Sequence, residues 1–417
     1  MTDSERLKPL VDDVLQLAGR PLEAWKKELW ARHQALEPTE KIPVCVSYEG
    51  MPSRQWDLIF GPDHLACETT TGRRIEFDLK CRIWMARNVP DDHIVWPLIT
   101  VSATSREVAN WGVPLEWQPS PDPLGARRII PPFKDEFDVS LLTMPEMALD
   151  EAATEGEVDE ALTLVGGRLG VVLHYPGMGH SPFEVLVRMR GMEQLMMDVI
   201  DRPKAVHAAM EFITTATVNH HRRREETGCI NSLVDPEGRY HLGDFMRVIA
   251  SRLDGDFHNR RPLLADEWAY VSAQSSAGLG PAMYDEFVTE YHMRLAELHP
   301  AGTIYYHGCE CLDGKLDSIA RLPNLRRHHV SPWSSVAAAR RKFEGRVVME
   351  VHAHPGNVCF VHTPEEMRAE IDTLIAQAES VPIDLNLSDI HSVDGKPDTL
   401  RIWAENAQDA VSSAIGT

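Results

Sequence analysis

Thr303-Ile304-Tyr305-Tyr306-His307-Gly308-Cys309-Glu310-Cys311 decides the reading of this chain, because a short apolar run ends there on imidazole and thiol groups. A run of this length bounded by glycine reads as a buried strand. Residues two apart on an extended chain share a side, so His307 and Cys309 point together, and a further extended residue brings in Cys311. The same rhythm repeats outward. Downstream, strands at 327–330, 347–351 and 382–387 alternate with helices at 335–343, 364–378 and 398–414. Upstream, a strand at 168–175 precedes helices at 183–192 and 203–220. A run at 261–264 then leads into Asp266-Glu267, and a helix covers 281–298. Near-continuous apolar strands alternating with helices predict an α/β fold with a parallel sheet covered on both faces. The number of alternations favours a closed (β/α)8 TIM barrel. No glycine-rich dinucleotide turn follows an early strand, which argues against an open doubly wound sheet.

Residues 1–40 read as two N-terminal helices, and 41–417 as the barrel, whose first strand lies at 42–48 and ends on Glu49. An elaborated insertion at about 51–165 mixes strand-like pieces at 74–79 and 95–101 with proline-rich turns. The 417 residues are 43% hydrophobic and 25% charged, an ordinary globular composition. Their 42 Lys and Arg against 63 Asp and Glu give a net charge of -21, a field that repels nucleic acid. No basic segment followed by an apolar core opens the chain, and no apolar run nears the roughly 20 residues of a membrane helix. Seven scattered cysteines suit free thiols in a reducing cytoplasm.

In a barrel, chemistry gathers where strands end. Besides His307 and Cys309, the exits supply His352 and His354, then Asp389 and His391. Asp266 and Glu267, at the end of the 261–264 run, and His174 are candidates for acid, base or orienting roles. Glu49, Tyr175, His180, Gln274, His329, His352, His354 and Asp389 are candidates for substrate contact. Imidazole and thiolate together are what zinc prefers, and a catalytic zinc keeps three protein ligands and one open position. Buried, hydrogen-bonded filler is the competing reading for each of these side chains, and for His352 and His354 a structural or substrate-contacting role is the better one.

Arg188-Met189-Arg190-Gly191-Met192-Glu193, then Asp201-Arg202-Pro203, Asp266-Glu267-Trp268 through Ser272-Ala273-Gln274, His307-Gly308-Cys309, Ser331-Pro332-Trp333 and Asp389-Ile390-His391-Ser392 follow one another in order. This ordered set, from about 165 onward, resembles the uroporphyrinogen-decarboxylase-like superfamily. Its decarboxylase branch uses an arginine-rich segment after the first strand; here that segment is Ser47-Tyr48-Glu49-Gly50-Met51-Pro52-Ser53-Arg54 and does not match. Its other branch, corrinoid-linked methyltransferases, holds zinc with a His-x-Cys pair and a later cysteine. His307-Gly308-Cys309 fits the pair, but the later position carries Asp389 and His391. The resemblance therefore leaves two alternatives: a third ligand that is His391, or else Cys311, His354 or Cys359, or a metal site that is altered or lost.

What the resemblance implies is a zinc-dependent methyltransferase or demethylase with a corrinoid supplied by a partner protein. The expected partners are a small-molecule substrate, that corrinoid protein and a second copy of the chain, with no nucleic acid and no membrane. Two further readings stay open: a metal-independent decarboxylase or lyase of a small carboxylated substrate, and a non-catalytic corrinoid- or tetrapyrrole-binding protein.

Overall fold

A computed structural model describes residues 1–48, 50–121, 127–134, 137–232, 234, 239–242, 248–252 and 260–415. Among the described residues, eight strands lie in parallel pairings: β1 (Val44–Val46), β2 (Leu98–Ser102), β3 (Gly170–His174), β4 (Ala269–Ser272), β5 (Ile304–His307), β6 (Leu325–Val330), β7 (Val348–His352) and β8 (Ile383–Leu387). Six form one parallel sheet in the order β1-β8-β7-β6-β5-β4, while β2 and β3 pair separately. The architecture is mixed α/β, and each strand from β4 onward is followed by helical structure.

The strands are not continuously apolar. Val44, Val46, Ile304, Tyr306, Val330, Met349, Val351, Ile383, Leu385 and Leu387 point to one side. There they join the main core with Phe343, Ile371, Leu400 and Trp403 of the covering helices. The alternate positions carry Cys45, Tyr270, Tyr305, His307, Arg327, His329, Glu350, His352, Asp384 and Asn386. Parallel register aligns them across the sheet: Tyr270 beside Tyr305, Ser272 beside His307, His329 beside Glu350, and His352 beside Asn386. Period-two alternation thus turns one face of the sheet apolar and the other polar. The expectation of near-continuous apolar strands is corrected here, since Arg327, His329, Glu350, Asp384 and Asn386 of the polar face are buried as deeply as the apolar residues.

Burying that many polar groups requires partners, and Arg327 is the hub. Its two terminal nitrogens donate to both oxygens of Asp384, at 2.8 and 2.6 Å, and its Nε donates to Glu350 Oε2 at 2.6 Å. Burial works against the guanidinium's charge, but the two carboxylates more than compensate and raise its pKa. Burial alone would raise the Asp384 carboxyl; Arg327 and His33 instead hold it well below the usual range. His33 Nε2 lies 3.0 Å from Asp384 Oδ2, tying the helix Pro21–Gln34 to β8.

Between β1 and β2 the chain does not simply pair strands. The amide of Asp92 donates to the Val44 carbonyl at 2.7 Å, and the carboxylates of Asp92 and Asp91 accept from the amides of Val44 and Val46, both at 2.8 Å. The open edge of β1 is thereby satisfied by side chains. Beyond β3, the segment leading away reaches β4 through a parallel bridge between His180 and Val271.

Two further sequence expectations fail. Residues 74–79 belong to the helix Thr70–Asn88, where Ile75, Leu79 and Ile83 recur at helical spacing against Leu7, Val11 and Val14 of the helix Asp3–Ala18. The first turn of Thr70–Asn88 is held by the Thr69 side chain, which accepts from Gly72 N. The run at 261–264 is not a strand either. The strand is Ala269–Ser272, placing Asp266 and Glu267 before it instead of at its exit. The insertion does carry antiparallel ribbons, Ser105–Ala109 with Glu146–Leu149 and Glu116–Gln118 with Arg128–Ile130. No helix among the described residues is long and apolar enough to cross a membrane.

Arg327→Met should lower unfolding free energy by about 3–5 kcal/mol, because two carboxylates lose their common partner in a buried site. Urea denaturation reads this directly; a loss below about 1 kcal/mol would show that the clamp does not organise the polar face.

Candidate functional site

The carboxyl ends of β4 to β8 bring six of the expected residues together. His307 closes β5, and its Nδ1 meets the Tyr270 hydroxyl from the neighbouring strand. Gln274, just past β4, places its Nε2 at 3.3 Å from His307 Nδ1 and 3.2 Å from Cys309 Sγ. An amide nitrogen only donates, so both the imidazole nitrogen and the sulfur turn a lone pair toward it. Asp389 Oδ2 lies 3.9 Å from the same sulfur. The His307 ring stacks on His329 with centroids 4.1 Å apart, and His329 meets His352 edge-on at 4.1 Å. His329 is fixed through Nδ1 to the Gly308 carbonyl at 2.9 Å.

Gly308 packs closely at this corner: a Cβ there would lie 2.7 Å from Glu310 Oε2 and 3.0 Å from Leu312, so a side chain would have to push the Glu310 carboxylate aside. Electrostatically the corner is poor in charge. Burial lowers His307 to about 4, with His352 adding to the effect, and raises the Cys309 thiol to about 11, with Asp389 adding. At neutral pH the pair is a neutral imidazole beside a protonated thiol.

The other candidates lie elsewhere. Cys311 and His391 are exposed, and His354 meets Trp333 edge-on at 4.7 Å on the rim. Cys359 is buried. His174 is exposed at the end of β3. Glu49 lies outside the described residues. Glu267 is clasped by Arg224 through both carboxylate oxygens, and Asp266 by Arg260 at 2.6 Å through each. Both acids stand before β4, each with a guanidinium already engaged. Tyr175 pairs through its main chain with the Asn231 amide, and Asn231 N donates to Glu267. His180 sits in a second histidine group, 2.9 Å from His299 Nε2 and stacked on His221 at 4.0 Å.

Sequence reasoning passed over Tyr270, Glu350, Asp384 and Ser388, and it places a solvated strand start in the 326–329 cluster, whereas Arg327 is buried. The signal was present: a polar residue at every second position of four consecutive strands. It also passed over a sealed trio. Among the described residues, the donors that gather within 4.8 Å of one another are Cys45, Asp91 and His93, and no such trio forms around His307 and Cys309. Asp91 already accepts from the amides of Val46 and His93, and burial lifts it to about 6. Cys45 packs with Trp30 and Trp96, so this group is closed to solvent and bears on the seam between β1 and β2.

No protein-family model matches this chain, and no curated protein sequence does. Among solved structures, a methyltransferase from Methanosarcina mazei is 11% identical and superposes with a TM-score of 0.54 over 92% of this chain and 98% of that one. At that identity the likeness is one of fold.

Desolvation holds His292 and His328 at about 3 and His220 at about 4, with His180 and His221 well below 6.5. A histidine depressed in the folded state takes its proton first in the unfolded chain. Stability is therefore full above about pH 6.5 and falls as pH drops toward 4, by up to about 1.4 kcal/mol per unit for each group. Urea midpoints measured across that window should fall steeply; a flat profile would mean these rings are not held neutral.

Proposed function

We propose that this chain is a methyl-transfer enzyme of the uroporphyrinogen-decarboxylase-like superfamily, its eight parallel strands forming a (β/α)8 barrel with the site at their carboxyl ends. One observation carries the reading: His307 Nδ1 and Cys309 Sγ direct lone pairs at a single polarised group, the Gln274 amide. The fold likeness to a protein named as a methyltransferase supports it, as does the His-x-Cys spacing.

The donor chemistry suits a soft divalent ion such as zinc, with His307 and Cys309 as the residues that hold it and Asp389 facing the sulfur. When bound, such an ion supplies Lewis acidity and stabilises a thiolate at neutral pH. The chain's own groups do the rest. Burial keeps the His307 ring neutral and so able to offer a lone pair. Tyr270 and Gln274 fix its orientation, and the stacked His329 prevents the ring from turning away. His352 in turn meets His329 edge-on and holds it against His307.

The methyl group moves between a small molecule and a corrinoid carried by a partner protein, or a thiol or folate acceptor. A cytoplasmic setting agrees with seven unbridged cysteines.

Metal analysis by mass spectrometry tests this. The purified protein should carry near-stoichiometric metal, lost in His307→Ala and Cys309→Ser and kept in Cys45→Ser. Gln274→Ala, which removes the group orienting both donors, should weaken metal affinity by about 10–100-fold. Metal-free protein with undiminished methyl transfer, or metal lost from Cys45→Ser alone, would overturn the assignment.

A further inference from the structure

The Ser388 hydroxyl, immediately past β8, stands 2.7 Å from His352 Nδ1, and Nε2 of the same ring stands 2.7 Å from Glu350 Oε1. The surroundings of Glu350 set the direction of both bonds. Its Oε2 accepts from Arg327 Nε at 2.6 Å, and its Oε1 accepts from the Tyr305 hydroxyl at 2.8 Å. A carboxylate paired with a guanidinium is ionised and only accepts. His352 Nε2 must therefore carry the ring's proton and donate it to Glu350. Nδ1 is left with a bare lone pair, and the Ser388 hydroxyl is the group that donates to it.

The fold makes this chain of contacts rigid. Glu350 and His352 share one face of β7, and His352 lies in register with Asn386 on β8, two residues before Ser388. Asp389 follows with φ of 55°, a left-handed conformation that turns the backbone sharply as it leaves the strand. Ser388 stays half-buried at that turn, and the His352 ring behind it meets His329, which stacks on His307. A hydroxyl, a base with a fixed tautomer and a carboxylate that orients the base are the parts of a base-activated nucleophile, recognised by geometry and not by sequence order.

We propose that Ser388, His352 and Glu350 form such a nucleophile, able to take an acyl group from an activated ester or thioester bound at the strand ends. Ser388 Oγ adds to the carbonyl carbon as its proton passes to His352 Nδ1, and Glu350 stabilises the imidazolium. The bond to the leaving oxygen or sulfur then breaks, and the leaving group takes the proton from Nδ1. A water molecule deprotonated by the same nitrogen adds to the acyl-serine carbonyl. The acyl–oxygen bond breaks, and the proton returns to Ser388 Oγ. No oxidant, reductant or metal enters the balance, so the proposal stands apart from the methyl-transfer reading.

The test is covalent. The full chain is incubated with a fluorophosphonate, whose phosphorus a base-activated serine attacks with loss of fluoride, and adducts are mapped by peptide mass spectrometry. The peptide bearing Ser388 should gain the phosphonyl mass, with and without a chelator. Ser388→Ala should abolish that adduct, and Glu350→Gln should slow its formation at least tenfold, each variant being checked as folded by circular dichroism. Absence of an adduct at Ser388 in folded wild-type protein, or labelling of Glu350→Gln at the wild-type rate, would overturn the proposal.

Discussion

A guanidinium held between two carboxylates on adjacent strands sets the terms for the polar half of this molecule. Arg327 projects from β6, while Glu350 and Asp384 project from β7 and β8 beside it. Removing any one of the three leaves charge uncompensated where water is excluded, which is costly in a way that the intact group is not. The clamp also reaches outward in both directions. Through Asp384 it meets His33 and Asn386, and through Glu350 it meets Tyr305 and His352. Strand order, the seating of the helix Pro21–Gln34 and the tautomer of a pocket histidine are thus consequences of one ionic contact. Such a contact specifies an arrangement more than it adds stability.

Desolvation governs the rest of the site. His307, partly buried, stacks on the buried His329, and desolvation favours the uncharged form of each. It favours the uncharged thiol of Cys309 as well. A neutral imidazole can ligate or accept a proton, whereas a neutral thiol is a poor nucleophile until a cation or a base removes its proton. Chemistry at this corner therefore depends on what enters it. The Gln274 amide marks where positive polarity is wanted, since it serves nitrogen and sulfur at once.

The second histidine group follows the same rule with a different outcome. His180, His221 and His299 are packed against one another and against the Arg224–Glu267 pair at the entry of β4. Every charge there is matched within the cluster, and His299 spends its Nδ1 on the carbonyls of Leu264 and Glu267. Acidic residues beside a strand are ambiguous in sequence, because the same pair serves at an exit as chemistry and at an entry as an anchor. Four residues lie between the expected strand end at Leu264 and the true strand start at Ala269, and that offset places Asp266 and Glu267 at an entry.

The sequence by itself determined the alternation of strands and helices from 168 onward, save the strand Ala269–Ser272, together with the two N-terminal helices and the pairing of His307 with Cys309. Those features are local, set by apolar period and by two-residue spacing on an extended chain. Only the tertiary structure decided which face of each strand is polar, since that choice depends on the neighbour in register and not on the strand alone. It alone joined Ser388 to His352, 36 residues apart, and Gln274 to Cys309, 35 apart. It also sent Cys311 and His391 to the surface although they sit within two residues of the pocket. A turn of one residue, whether at Gly308 or at Asp389, redirects a side chain entirely, and no periodicity records it.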